Sequence, residues 1–162
     1  MSDDGVPGDS AGRAGPPEPS PTMLLLIQGR LVERLVESEL APLGLTIRQM
    51  GILGHLARSP GLSFTELAAR AQITVQSMHT LAAAMTANGL IEAGPGVVRG
   101  RAASLSLTPL GHERLREAQQ RIAELDERSF GSESSVLQRR LGALLSEIAR
   151  QEGPYSGGRP AR

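Results

Sequence analysis

The fold class predicted for this chain is mainly α with a small β-hairpin wing: a winged helix-turn-helix with N- and C-terminal dimerisation helices. Three observations predict it. Apolar residues recur at helical spacing in six segments between two tails rich in Pro, Gly and Ser. Two capping boxes and further cap residues mark where the central helices begin. Beyond Asn88-Gly89, two stretches of alternating polarity flank the loop Gly94-Pro-Gly-Val-Val-Arg-Gly100, as in a hairpin.

In chain order, residues 1–22 are dominated by Pro, Gly, Ser and Asp and are expected to be a disordered tail, since they offer too little apolar surface to offset ordering entropy. The first helix is expected over about 23–40, with Leu24, Ile27, Leu31 and Leu35 on one stripe and Leu25, Val32, Val36 and Leu40 on the next; Pro42 and Gly44 end it. Thr46 to Gln49 forms a capping box with Leu45 and Met50 at the staple positions, so a second helix runs to about Arg58. Ser59-Pro-Gly61 turns the chain. Ser63 to Glu66 is a second box opening a short third helix, about 64–71. After a turn at Gln72-Ile73, Thr74 caps a fourth helix that stops at Asn88-Gly89. Residues 90–93 and 101–107 are expected as the strands of the hairpin. Thr108-Pro109 opens a long helix to about Phe130, with Glu117–Arg121 and Glu124–Arg128 expected as surface pairs. A last helix carries Leu137, Leu141, Leu144 and Ile148, and residues 153–162 form a second tail. One domain over 23–152 results. Its lobe is 46–107, and the apolar helices of 23–45 and 108–152 are expected to make a subunit interface.

Composition removes several classes of function. Without cysteine there is no disulfide, thiolate metal site or thiol switch. One Tyr, two Phe and no Trp leave little on which single-stranded bases could stack. The start of the chain has neither the basic nor the apolar region of a secretory signal, and its longest wholly apolar run, 23–27, is far short of the ~20 residues of a membrane span, so a cytoplasmic protein is expected. The net charge is zero but unevenly placed. Residues 46–107 hold Arg48, Arg58, Arg70, Arg99 and Arg101 against Glu66 and Glu92, a net +3, whereas 1–22 carries −3.

The charge maximum coincides with the motif. Residues 64–85 fit a helix-turn-helix, with Leu67, Ala68, Ala71, Ile73, Met78, Leu81 and Met85 facing inward. At 100° per residue, Gln76, Ser77 and Thr80 project from the start of the second helix, His79 lies at the edge, and Ala83, Ala84 and Ala87 continue the face. Such N-terminal residues reach base edges in the major groove, where Gln pairs with adenine and Ser or Thr is versatile. Thr65, Arg70 and Thr74 flank this face, and Arg99 and Arg101 sit on the hairpin arm, where guanidinium groups can enter a minor groove or clasp phosphate. Double-stranded DNA is therefore the expected partner.

The order of elements, together with residues 85–92 (Met-Thr-Ala-Asn-Gly-Leu-Ile-Glu) and 101–111 (Arg-Ala-Ala-Ser-Leu-Ser-Leu-Thr-Pro-Leu-Gly), resembles the MarR (multiple antibiotic resistance regulator) family over about 23–150. The resemblance implies a transcriptional repressor: a two-fold homodimer built from the terminal helices, two winged lobes on a pseudopalindromic operator, and release by a small ligand. The chain departs from the family in two places. Arg99-Gly-Arg101 stands where the family commonly has Asp-Arg-Arg, and Thr80 stands where it often has Arg. With no basic residue on the fourth helix, binding is expected to lean on the wing and on helix N-termini.

Partly from that resemblance and partly by subtraction, a small apolar, phenolic or anionic ligand is expected where the first, second and fifth helices meet, with His55 and His112 as its candidate polar contacts. No cofactor is expected, and the three histidines match no metal-binding spacing. Catalysis is not expected either: Ser77 and His79 are two apart and do not face each other, and Glu113 and Glu117 sit among arginines. The competing reading is a winged-helix interaction or ligand-binding module with weak or no DNA binding, favoured by the uncharged fourth helix and the zero net charge.

Overall fold

The structure, a computed structural model, describes residues 20–94 and 104–152. The chain forms two compact units, Met1–Glu33 and Arg34–Arg162. The described part of the first is the leading stretch of α1 (Pro21–Leu40). This helix begins earlier than the apolar pattern predicts, because the Ser20 hydroxyl accepts the Met23 N–H at 3.2 Å and proline is accommodated in a first turn. The side chains of Met23, Leu24, Leu25, Leu26, Ile27, Leu31 and Val32 are all exposed.

The second unit carries the fold. A 3₁₀ turn (Ala41–Leu43) ends at Gly44, whose φ of +66° explains the glycine there. Then come α2 (Ile47–Arg58), β1 (Leu62–Ser63), α3 (Phe64–Arg70), α4 (Val75–Ala87), β2 (Ile91–Ala93), β3 (Ser104–Leu107), α5 (Pro109–Phe130) and α6 (Val136–Glu152). Both expected boxes form. Thr46 Oγ1 accepts the Gln49 N–H while Thr46 N–H donates to Gln49 Oε1, and Ser63 and Glu66 repeat the arrangement.

One core serves this unit. Leu53 and Leu56 of α2, Leu67 and Ala68 of α3, Met78, Ala82 and Met85 of α4, Ile91, Leu105 and Leu107 of the sheet, and Leu115 and Ala118 of α5 are all buried, together with Leu40 and Leu45. The alternation in β3 is the period-2 signature of a half-buried strand, Leu105 and Leu107 inward and Ser104 and Ser106 partly exposed.

Two expectations need correction. Among the described residues the sheet has three antiparallel strands in the order β1-β3-β2, not two. Leu62 pairs with Leu105 and Ser63 with Ser104, while β2 pairs with the other edge of β3. A two-residue strand is too short to show alternation, so nothing local announced it. The expected surface pairs on α5 are also replaced. Glu117 joins Arg114 at 2.6 Å, and both Arg121 (3.8 Å) and Arg128 turn to Glu39 near the end of α1, which lies in this same unit. A half-buried carboxylate facing two guanidinium groups outcompetes two solvated pairs along one helix.

Residues 95–103, with Arg99 and Arg101 of the expected wing, lie outside the described residues, as do both expected tails apart from residues 20–22. Their base is described: Gly94 N–H donates to Ser104 O at 2.8 Å, closing the ladder from which that segment leaves. Among the described residues, no helix is long and apolar enough to cross a membrane.

Candidate nucleic-acid interface

The helix-turn-helix is α3, a turn and α4. The turn is tight because Ile73 N–H reaches back to Ala68 O at 3.0 Å and Gln72 takes a left-handed φ of +54°. Thr74 then caps α4. Its Oγ1 accepts the Ser77 N–H at 3.1 Å and its hydroxyl donates to Ser77 Oγ at 2.8 Å. Met78 and Met85 (both 0% exposed) and Ala82 (2%) anchor α4 on the core, which leaves Gln76, Ser77, His79, Thr80, Ala83, Ala84 and Ala87 exposed along the opposite face. Ala82 completes the inward stripe that the sequence assigned to Leu81, which is only half-buried.

The polar groups on this face are unequally occupied. Ser77 belongs to the cap. Thr80 Oγ1 donates to Gln76 O at 3.3 Å, and the His79 ring stacks on Phe64, the first residue of α3, with centroids 4.1 Å apart and planes 20° off parallel. That stack was not legible in the sequence, because fifteen residues separate two rings that only the turn brings together. Thr65 is exposed on α3. Arg70, at the end of the same helix, donates to Ser59 Oγ at 2.9 Å, which ties the helix-turn-helix to the end of α2.

The two ligand candidates part company. His55 on α2 is buried, 9% exposed, and Arg58 donates to its Nδ1 at 3.4 Å; since arginine can only donate, this ring nitrogen accepts. Burial, with the charges of Arg58 and Arg70, holds the His55 pKa below its ordinary value. His112 is exposed on the first turns of α5. Cavities that open along α5 include two lined by neither histidine. One, of about 330 Å³, is bounded by Leu43, Arg114, Glu117, Gln120, Arg121 and Glu124. The other, of about 460 Å³, lies between α5 and α6 beside Phe130, Arg139 and Gly142. Among the described residues, no three His, Asp or Glu side chains are grouped to hold a metal ion.

Comparison with known proteins agrees with this architecture. The MarR family model matches residues 43–102. The HTH-type transcriptional repressor Rv2887 of Mycobacterium tuberculosis is 30% identical over 125 residues, covering 77% of this chain and 90% of the relative. The crystal structure of Rv2887 in complex with DNA superposes with a TM-score of 0.66 at 27% identity, over 81% of this chain and 98% of that one. Its complex with salicylic acid gives 0.62 at 30% identity over the same shares. A winged helix-turn-helix with a capped, core-anchored second helix, matched across nine-tenths of a repressor of that kind, belongs to the MarR family of transcriptional regulators.

Proposed function

We propose that this protein is a cytoplasmic, homodimeric, non-catalytic repressor that binds a pseudopalindromic duplex operator and leaves it on binding a small aromatic acid. The observation that carries the reading is the exposed polar start of α4, held outward by Met78, Ala82 and Met85. Rv2887, which shares this fold, has been crystallised with DNA and with salicylic acid. Gln76, Ser77, His79 and Thr80 supply the base-facing surface, while Thr65, Arg70, Thr74, Arg99 and Arg101 supply backbone contacts. Ser77 and His79 make no nucleophile–base pair, since the first serves the Thr74 cap and the second stacks on Phe64.

The absence of Lys and Arg from α4 favours one alternative, a winged helix that docks on a protein. Gel shift on the protein's own upstream DNA, with a salt titration, separates the two. A repressor gives specific binding whose logarithm falls linearly with log salt. Arg101→Ala lowers that slope by about one per lost phosphate contact. Adding salicylic acid weakens the complex, and a hundredfold weakening corresponds to about 2.7 kcal/mol of coupling. Salt-insensitive or absent binding favours the docking module.

A further inference from the structure

The polar side chains at the start of α4 do not have equal capacity to read a base. Thr74 and Ser77 are turned toward each other in the cap, and the Thr80 hydroxyl donates to its own helix. Among the described residues, no partner takes up the Gln76 side-chain amide. At i+3 from it, on the same face, His79 keeps both ring nitrogens free of hydrogen bonds among the described residues while one face of the ring lies on Phe64. Phe64 itself is half-buried and packs against the core. A continuous path therefore runs from the core through an aromatic ring to an imidazole at the exposed surface.

We infer that Gln76 and His79 are the specificity-determining pair of α4, and that Phe64 is a positioning residue that holds the His79 ring edge toward the base pairs. This rests on the repressor reading above. An exposed histidine samples several rotamers, and ordering it costs affinity on every binding event. A parallel ring at 4.1 Å removes that freedom before DNA arrives and leaves the ring edge, with its two nitrogens, as the only part that can make polar contacts. Since α4 carries no Lys or Arg, discrimination on this helix comes from hydrogen-bond pattern, and affinity comes mainly from elsewhere.

The test uses the full chain and a duplex selected by the parent protein from a randomised library of about two helical turns. The readout is the ratio of dissociation constants for a scrambled and the selected duplex at fixed salt. Gln76→Ala and His79→Ala each lower this ratio about tenfold and relax the requirement at one or two base pairs, with an unchanged salt slope. Phe64→Leu lowers it about threefold, Phe64→Tyr retains it, and Phe64→Leu adds nothing in the His79→Ala background. Phe64→Met replaces Phe64→Leu in the cycle if the latter unfolds. A parent-like ratio in Phe64→Leu overturns the inference, as does an equal loss with and without His79, which assigns Phe64 to packing alone. If the parent selects no duplex at all, the repressor reading falls and takes the inference with it.

Discussion

At the scale of single residues, the informative side chain away from the interface is His55. Its Nδ1 accepts from Arg58, and burial with two nearby arginines disfavours its protonated form, so its pKa in the folded protein lies below the ordinary 6.5. Below that pH the unfolded chain binds a proton that the folded chain refuses. The contribution to stability is therefore complete above about pH 6.5 and is lost as pH falls through the folded-state value. Urea midpoints measured from pH 7.5 to 5 fall with acidity in the parent, and the fall is shallower in His55→Gln; equal slopes for the two proteins contradict the assignment. Which residues could be read in advance follows from the range of their contacts. The caps at Thr46, Ser63, Thr74 and Thr108 each accept from the N–H three residues on, so sequence spacing alone reveals them. Glu39 meets Arg128 across 89 residues, and no local pattern carries that information.

At the scale of elements, the junction between the end of α4 and the start of α5 is tightly closed. Thr108 Oγ1 accepts the Gly111 N–H at 2.9 Å and donates to Gly89 O at 2.5 Å, while Thr108 N–H reaches Leu90 O at 3.2 Å. A Cβ on Gly111 would stand 2.0 Å from Leu90 O and 3.1 Å from its carbonyl carbon. Gly111→Ala should cost about 3 kcal/mol or more by urea denaturation, because backbone, and not a flexible side-chain end, has to move. Gly51→Ala is the control. Nothing lies within 4 Å of its Cβ position in α2, and the substitution should stabilise by about 0.5–1 kcal/mol. Helix starts and stops were legible because caps, prolines and glycines act locally. The third strand was not, because two residues gain strand character only from the partner β3 brings to them.

At the scale of the whole molecule, the single chain leaves more apolar surface in water than a monomer normally keeps. Leu137 is 75% exposed on α6, and Leu141, Leu144, Leu145 and Ile148 are all near half-exposed; α1 shows the same character at Leu25 and Ile27. These are the stripes that the sequence shows in excess of one core's needs. Sedimentation at micromolar concentration should report twice the 17.1 kDa chain mass, and Leu141→Arg should leave folded or partly folded monomer. A parent that sediments as a folded monomer contradicts the dimer. The Thr108–Gly111 junction acquires a mechanical meaning at this scale. With backbone against backbone and no slack for a side chain, the exit of α4 and the entrance of α5 are expected to turn as one body. At 1.5 Å per residue, the 22 residues of α5 make a rod of about 33 Å, so a sideways displacement of about 3 Å at its far end turns α4 through about 5°. The long helix is a lever arm, and its fulcrum is a glycine.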